Sequence, residues 1–244
     1  MGYIALDIGN SHTKGAVFEG NGLHHKMRWK GHPWPQLLSW AYNQSASHLI
    51  YCSVRPVPTS FKEALQRKLT CIELTHRTPL PFINRYHTPE TLGKDRIAAA
   101  AGALQFFPHR HCVVVDVGTC LTIDLLTAQG EFLGGNISPG LHMRLQAMHT
   151  FTAQLPLPQT QAPPSWYGRH THEAMQAGAL YGLIWEVEGF VWHAQQMLGP
   201  VQVVATGGDV EIFAHNWKTE IFAHSDLVLI GLNKILKYNV EHTA

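Results

Sequence analysis

One short plan occurs twice in this chain. VVVDVGTCLTIDLL, Val113 to Leu126, repeats the layout of YIALDIGNSHTKGAVF, Tyr3 to Phe18. In each copy an apolar run ends in Asp, then come an apolar residue, Gly and a small polar residue, with a Thr three positions later. The anchors are Asp7 and Asp116, Gly9 and Gly118, Asn10 and Thr119, Thr13 and Thr122. Such a run reads as a buried strand, a tight polar turn and a returning strand. The turn sets a carboxylate beside exposed backbone N–H groups and a hydroxyl, the chemistry that a metal-bound phosphate chain requires. Two copies predict a pair of related domains gripping one nucleotide from opposite sides.

Composition narrows the partners. At 244 residues, 45% of them hydrophobic, the chain can bury the core of one large domain or two small ones. A net charge of +1 with 14% charged residues gives no basic face for nucleic acid, so a small ligand is expected. Cys52, Cys71, Cys112 and Cys120 lie in or beside predicted strands without CxxC spacing, which argues against disulfides and zinc and for a reduced cytosol. The first strand begins within two residues of Met1, and no apolar stretch is long enough for a bilayer. A cytoplasmic, unprocessed chain with no membrane association is expected.

Strands and helices alternate. The pattern predicts helices over 36–45, 59–69, 95–107, 141–153, 171–198 and 228–239, with further strands over 48–54, 71–74, 111–117, 121–127, 131–136 and 201–206. The helix at Asp95 is the clearest in the first half, because DRIAAAAGALQFF is rich in Ala and Leu and stops at Pro108. Residues 154–168 are proline-rich and read as an irregular loop, and residues 20–59 carry little signal. This is an α/β pattern, with a boundary near 107–110 that divides the chain into 1–108 and 109–244.

In the first turn, Asp7 ends an otherwise apolar strand, where a carboxylate is costly unless a cation or donors await it. Lys14 offers an ammonium, and Asn10, Ser11 and Thr13 offer donors. A plain hairpin would need only the Gly-Asn geometry; the repeat and the buried charge favour phosphate. Neither a P-loop nor a GxGxxG fingerprint occurs, so hairpin turns must carry the phosphates. VVATGGD, Val203 to Asp209, adds a Gly pair that lets a ring or ribose approach the backbone, although it also fits a strand-to-helix turn with Asp209 as N-cap.

Asp7-Ile8-Gly9-Asn10 with Lys14, Leu92-Gly93-Lys94-Asp95-Arg96, Asp116-Val117-Gly118-Thr119, Gly134-Gly135-Asn136-Ile137-Ser138-Pro139-Gly140 and Thr206-Gly207-Gly208-Asp209 together resemble the type III pantothenate kinases. The resemblance runs from Tyr3 to Asn239 with the motifs in family order. It implies an α/β fold of two ribonuclease H-like domains of the actin-like ATPase superfamily, with an interdomain nucleotide cleft. It implies ATP-dependent phosphorylation of pantothenate to 4'-phosphopantothenate, the first step of coenzyme A biosynthesis, by a homodimer whose interface includes the Thr171 helix. By the same resemblance, Asp7, Ile8, Gly9, Asn10, Ser11, His12, Thr13 and Lys14 wrap the ATP phosphates, and Thr119 touches nucleotide. Asp116 helps hold a monovalent cation, K+ or NH4+. Tyr86, Gly93, Lys94, Asp95, Arg96 and Thr171 contact pantothenate, with Asp95 as general base on its primary hydroxyl.

The chemistry agrees with these roles. A carboxylate that accepts the proton of a primary alcohol contributes about 10² to 10⁴ in rate. A helix N-terminus favours the ionised form of Asp95, and Arg96 offers a cation to pantothenate's carboxylate; for an anonymous Asp before an Ala-rich run capping is the better reading, and only the surrounding LGKDR match overturns it. Asp7, Asp95 and Asp116 beside a polyphosphate require Mg2+ to bridge the phosphates. The many histidines lack an accompanying ligand set and read as surface or interdomain residues, and Trp185 and Trp192 read as core or subunit interface. Cys120 stands where the family commonly has Ala, a small replacement that leaves every proposed catalytic position in place. Two alternatives are a nucleotide-binding regulatory protein of the same fold, which would not need Asp95, and a kinase for another small hydroxylated acid or sugar.

Overall fold

The computed structural model describes residues 2–218 and 220–242. The order is β1 (Gly2–Ile8), β2 (His12–Glu19), β3 (Gly22–Lys30), α1 (Trp34–Tyr42), β4 (Ala46–Ser53), α2 (Thr59–Gln66), β5 (Thr70–Glu73), β6 (Ile83–Asn84) and α3 (Lys94–Phe106). It continues with β7 (Cys112–Val117), β8 (Cys120–Leu126), β9 (Glu131–Pro139), α4 (Leu141–Thr150), α5 (Thr171–Leu198), β10 (Gln202–Thr206), α6 (Val210–Asn216), β11 (Phe222–Ala223) and α7 (Leu227–His242). The α/β class is as expected. Three strands go unannounced by the sequence: β6 and β11, of two residues each, are too short to show a period, and β3 is exposed along most of its length, so it carries no apolar alternation to read. No helix of the described residues is long and apolar enough to cross a membrane.

The chain divides into two compact units, Met1–Pro108 with Gly130–Phe132 and Asp226–Ala244, and His109–Gln129 with Leu133–Ser225. A single division after residue 108 had assigned the last helix to the second half. In the structure α7 packs against α3 and β1 of the first unit. The fit depends on missing side chains: a Cβ on Gly231 would overlap the Ala98 carbonyl, and one on Gly102 would overlap the Leu227 carbonyl. The Ala run of α3 is buried from Ile97 to Ala101, as a helix wedged between sheet and helix must be.

The first unit's sheet has the order β3-β2-β1-β4-β5, antiparallel through β1 and parallel from β1 to β5. Side chains alternate across it. Ile4, Leu6 and Ile8 of β1 and Leu49 and Tyr51 of β4 face Leu37, Ala41, Phe61 and Leu65 of α1 and α2. The opposite parity, Asp7 of β1 and Cys52 of β4, falls on the other face, where α3 and α7 pack. The second unit's sheet runs β11-β10-β7-β8-β9, and β6 pairs with Glu131 and Phe132 at the start of β9, residues that belong to the first unit. Val113, Val115 and Val117 of β7 meet α4, α5 and α6 in a second core. By the same alternation, Asp116 turns away from that core.

Candidate functional site

The first turn joins β1 to β2. Asp7 lies opposite Lys14 and Ile8 opposite Thr13, and the turn closes with Gly9 N–H donating to the His12 carbonyl at 3.0 Å. In parallel register with Asp7 on β4 is Cys52, whose buried thiol donates to Asp7 Oδ1 at 3.5 Å. Burial pushes the Asp7 carboxyl up to about 6; Lys14 opposes the rise and the nearby charge of Asp95 adds to it. Burial and the same two carboxylates hold the Cys52 thiol protonated. Asp7, Cys52 and Asp95 therefore form one electrostatic group within the first unit.

Asp95 enters this group from the first turn of α3. The helix begins at Lys94 with Gly93 as N-cap, so Asp95 is the second helical residue and does not occupy the cap. Its Oδ1 accepts the Arg96 N–H at 2.9 Å. A Cβ on Gly93 would stand 2.6 Å from that oxygen, so a larger residue there would push the carboxylate aside. Arg96 is buried, and its guanidinium lies 5.5 Å from the centre of the Tyr86 ring. Lys94 donates to the Leu92 carbonyl at 2.7 Å. Tyr86, Gly93, Asp95 and Arg96 are thus brought together; Thr171 lies in the second unit, exposed at the start of α5.

Two residues of the first turn serve it from inside. Ile8 is fully buried and offers only its backbone. Thr13, expected as a phosphate donor, is also fully buried; its hydroxyl donates to the Gly31 carbonyl at 3.0 Å and lies 3.0 Å from His32 Nδ1. The register explains this, because pairing with Ile8 puts Thr13 on the α1 face. Asn10 and Ser11 remain exposed, with His12 and Lys14 partly so.

The second turn is one residue tighter. Thr122 pairs with Asp116 and Leu121 with Val117, and Gly118 N–H donates to the Cys120 carbonyl at 3.1 Å. The threonine repeat is therefore shifted by one register step between the copies. Both remaining glycine motifs converge here. Gly140 N–H donates to the Thr119 carbonyl at 3.2 Å, and a Cβ on it would overlap the Gly118 carbonyl. Gly207, at φ +110, lies where a Cβ would overlap the Val117 backbone and come within 2.6 Å of Asp116 Oδ1. Asp209 N–H donates to the Val117 carbonyl at 3.0 Å, and Asp209 is the N-cap of α6 without a side-chain capping bond. Thr119 is exposed at the tip. Carboxylate and carbonyl oxygens around Asp116 are the donor type that hard cations take.

Nothing in the sequence marks His32 or Arg55 as site residues, and Cys52 stands out there only as one of four cysteines without CxxC spacing. Their link to the first turn arises from β1–β4 pairing and the loop before α1, and no local motif marks it.

The family model for type III pantothenate kinase matches residues 3–193. The type III pantothenate kinase of Phocaeicola vulgatus is 38% identical over 237 residues, covering 97% of this chain and 98% of the relative. That of Cytophaga hutchinsonii is 38% identical over 242 residues, covering 97% and 99%. Among solved structures, a conserved putative Baf family transcriptional activator from Campylobacter jejuni aligns at TM-score 0.65 and 23% identity over 98% of this chain and 99% of its own. The activator of 2-hydroxyisocaproyl-CoA dehydratase from Clostridium difficile, with bound ADPNP, aligns at TM-score 0.58 and 12% identity over 100% and 97%. At those identities the two structures speak to the fold alone, which is the two-domain fold of actin-like ATPases. The match to the family model across most of its length, with relatives aligned nearly end to end, makes this chain a member of the type III pantothenate kinase family.

Proposed function

We infer that this protein transfers the terminal phosphoryl group of ATP to the primary hydroxyl of pantothenate, a reaction of coenzyme A biosynthesis. The observation that carries the assignment to these residues is the placement of Asp95. It sits half-buried in the first turn of α3, close enough to Asp7 for the two charges to interact, with its Oδ1 fixed by the Arg96 N–H.

In this reading Asp95 accepts the hydroxyl proton as the oxygen attacks phosphorus. Arg96, steadied against Tyr86, pairs with pantothenate's carboxylate, and Thr171 and Lys94 complete the substrate contacts. The β1–β2 turn supplies the first phosphate contacts and α3 the base, and the β7–β8 turn supplies Thr119 and Asp116. At the first turn, the backbone from Asp7 to Lys14 and the side chains of Asn10, Ser11, His12 and Lys14 hold the phosphates, while Thr13 keeps the turn's shape. Among the described residues no group of three or more His, Cys, Asp or Glu is arranged to hold a metal. Mg2+ is commonly held by one or two carboxylates together with substrate phosphates. When bound, Mg2+ neutralises charge on the phosphoryl oxygens. Asp116 holds K+ or NH4+, the protein acts as a homodimer, and it works in the cytoplasm.

ADP formation with ATP, Mg2+ and pantothenate, measured in potassium and in sodium buffer, tests the reading. Turnover that requires pantothenate and is faster in potassium is expected. Turnover with a sugar and none with pantothenate would overturn the acceptor, and equal rates in the two buffers would remove the monovalent site.

A further inference from the structure

We propose that Arg55, in the loop after β4, is a phosphate-binding residue of this chain, its guanidinium docked on the first turn to meet the phosphoryl oxygens held there. The proposal rests on the reading that the β1–β2 turn holds the ATP phosphate chain.

Arg55 is exposed, yet it is fixed at both ends. Its N–H donates to Ser53 Oγ at 3.1 Å, and Ser53 Oγ donates to its carbonyl at 2.7 Å. Val54 N–H donates to the Ile8 carbonyl at 3.2 Å, carrying β1–β4 pairing up to the turn itself. At the far end, Nη1 donates to the Asn10 carbonyl at 3.3 Å and meets His32 Nε2 at 3.1 Å. His32 Nδ1 in turn meets Thr13 Oγ1, which donates to the Gly31 carbonyl. The direction of this chain is set by its termini. A guanidinium only donates and a carbonyl only accepts, so protons run from Arg55 to His32 Nε2, from His32 Nδ1 to Thr13, and from Thr13 to Gly31. His32 is therefore the neutral Nδ1–H tautomer. Its ring stacks on Trp34 at 5.7 Å, and Trp34 packs on Phe61 of α2 at 5.0 Å. A surface arginine is thereby tied to the core through an imidazole that contributes no charge.

Charge supplies the second argument. Lys26, Lys62, Arg85 and Arg144 each pair with a carboxylate. Among the described residues Arg55 has no carboxylate partner, and Nη1 alone makes side-chain hydrogen bonds, so its Nε and Nη2 donors are unused. Around His12 the neighbouring charges are positive. His12 is held below the ordinary imidazole value, by burial first and then by Arg28, Lys30 and Lys14. A planar fork with free donors, fixed beside this turn, matches phosphoryl oxygens.

Binding of ATP and of adenosine, measured by calorimetry with Mg2+ and without pantothenate, tests this apart from turnover. Arg55→Gln is expected to weaken ATP about 10- to 100-fold, the range for a hydrogen bond to a charged group, while adenosine affinity stays within about twofold. Arg55→Lys, which keeps the charge and loses the fork, should fall between Arg55→Gln and the wild type. His32→Phe should weaken ATP selectively, and His32→Gln, which retains a donor and an acceptor, should restore it. ATP affinity unchanged in Arg55→Gln would overturn the proposal. An equal loss for adenosine would also overturn it, leaving Arg55 a brace for the turn. Wild-type protein that binds adenosine as tightly as ATP would instead remove the phosphate reading of the turn, and this proposal with it.

Discussion

Asp95 and Asp7 are two carboxylates placed close together for different work. Asp95, at a helix N-terminus, is assigned the base; replacing it with Asn preserves shape and removes proton acceptance. Asp95→Asn should lower turnover by about 10² to 10⁴ and leave ATP affinity nearly unchanged, as measured by steady-state kinetics beside calorimetry. Asp7 bears the cost of burial. Its folded pKa of about 6 lies above the ordinary 3.8, so its contribution to stability is fully present below pH 4 and is lost as pH rises through 6. The loss is at most about 3 kcal/mol. Ligand-free Asp7→Asn should therefore melt above the wild type at pH 8 and coincide with it near pH 4, while binding ATP more weakly. A wild-type-like pH profile in the variant would contradict this account of Asp7. Asp7 was recognisable in the sequence as a charge ending an apolar strand. Its neighbour Cys52 was not, because strand pairing, which no local pattern announces, sets it there.

At the scale of elements, helices α3 and α7 meet through absent side chains. Gly231→Ala would drive a methyl into the Ala98 carbonyl, so the helices must part. A loss of about 1–3 kcal/mol is expected by urea unfolding, the cost of overpacking a filled contact. Helix α3 was legible from its Ala-rich run and the proline after it, and α5 from its long unbroken pattern. The two-residue strands β6 and β11 were too short to show a period, and β3 is too exposed to show one. The glycine motifs at Gly140 and Gly207 were visible as strings. Their convergence on the Gly118–Thr119 turn was not, since a string does not say which backbone it approaches.

For the whole molecule, the exposed face of α5 bears on assembly. Trp185 and Trp192 are 51% and 55% exposed in the single chain, so neither belongs to the core. Seven residues apart, they share one face of the helix. A homodimer covering that face is expected by sedimentation, and Trp185→Glu with Trp192→Glu should yield monomer with little change in circular dichroism. A dimer that persists in the double variant would move the interface elsewhere.

The sequence by itself determined the repeated strand-turn-strand plan, the α/β class, the family and the motif residues, because these rest on local periodicity and on short strings with strict backbone demands. Only the tertiary structure decided that α7 belongs with the first unit, that Thr13 turns inward, that Asp95 lies near Asp7 and Cys52, and that His32 carries Arg55 to the turn. Those depend on strand register and helix packing, where one step of pairing moves a side chain to the opposite face of a sheet.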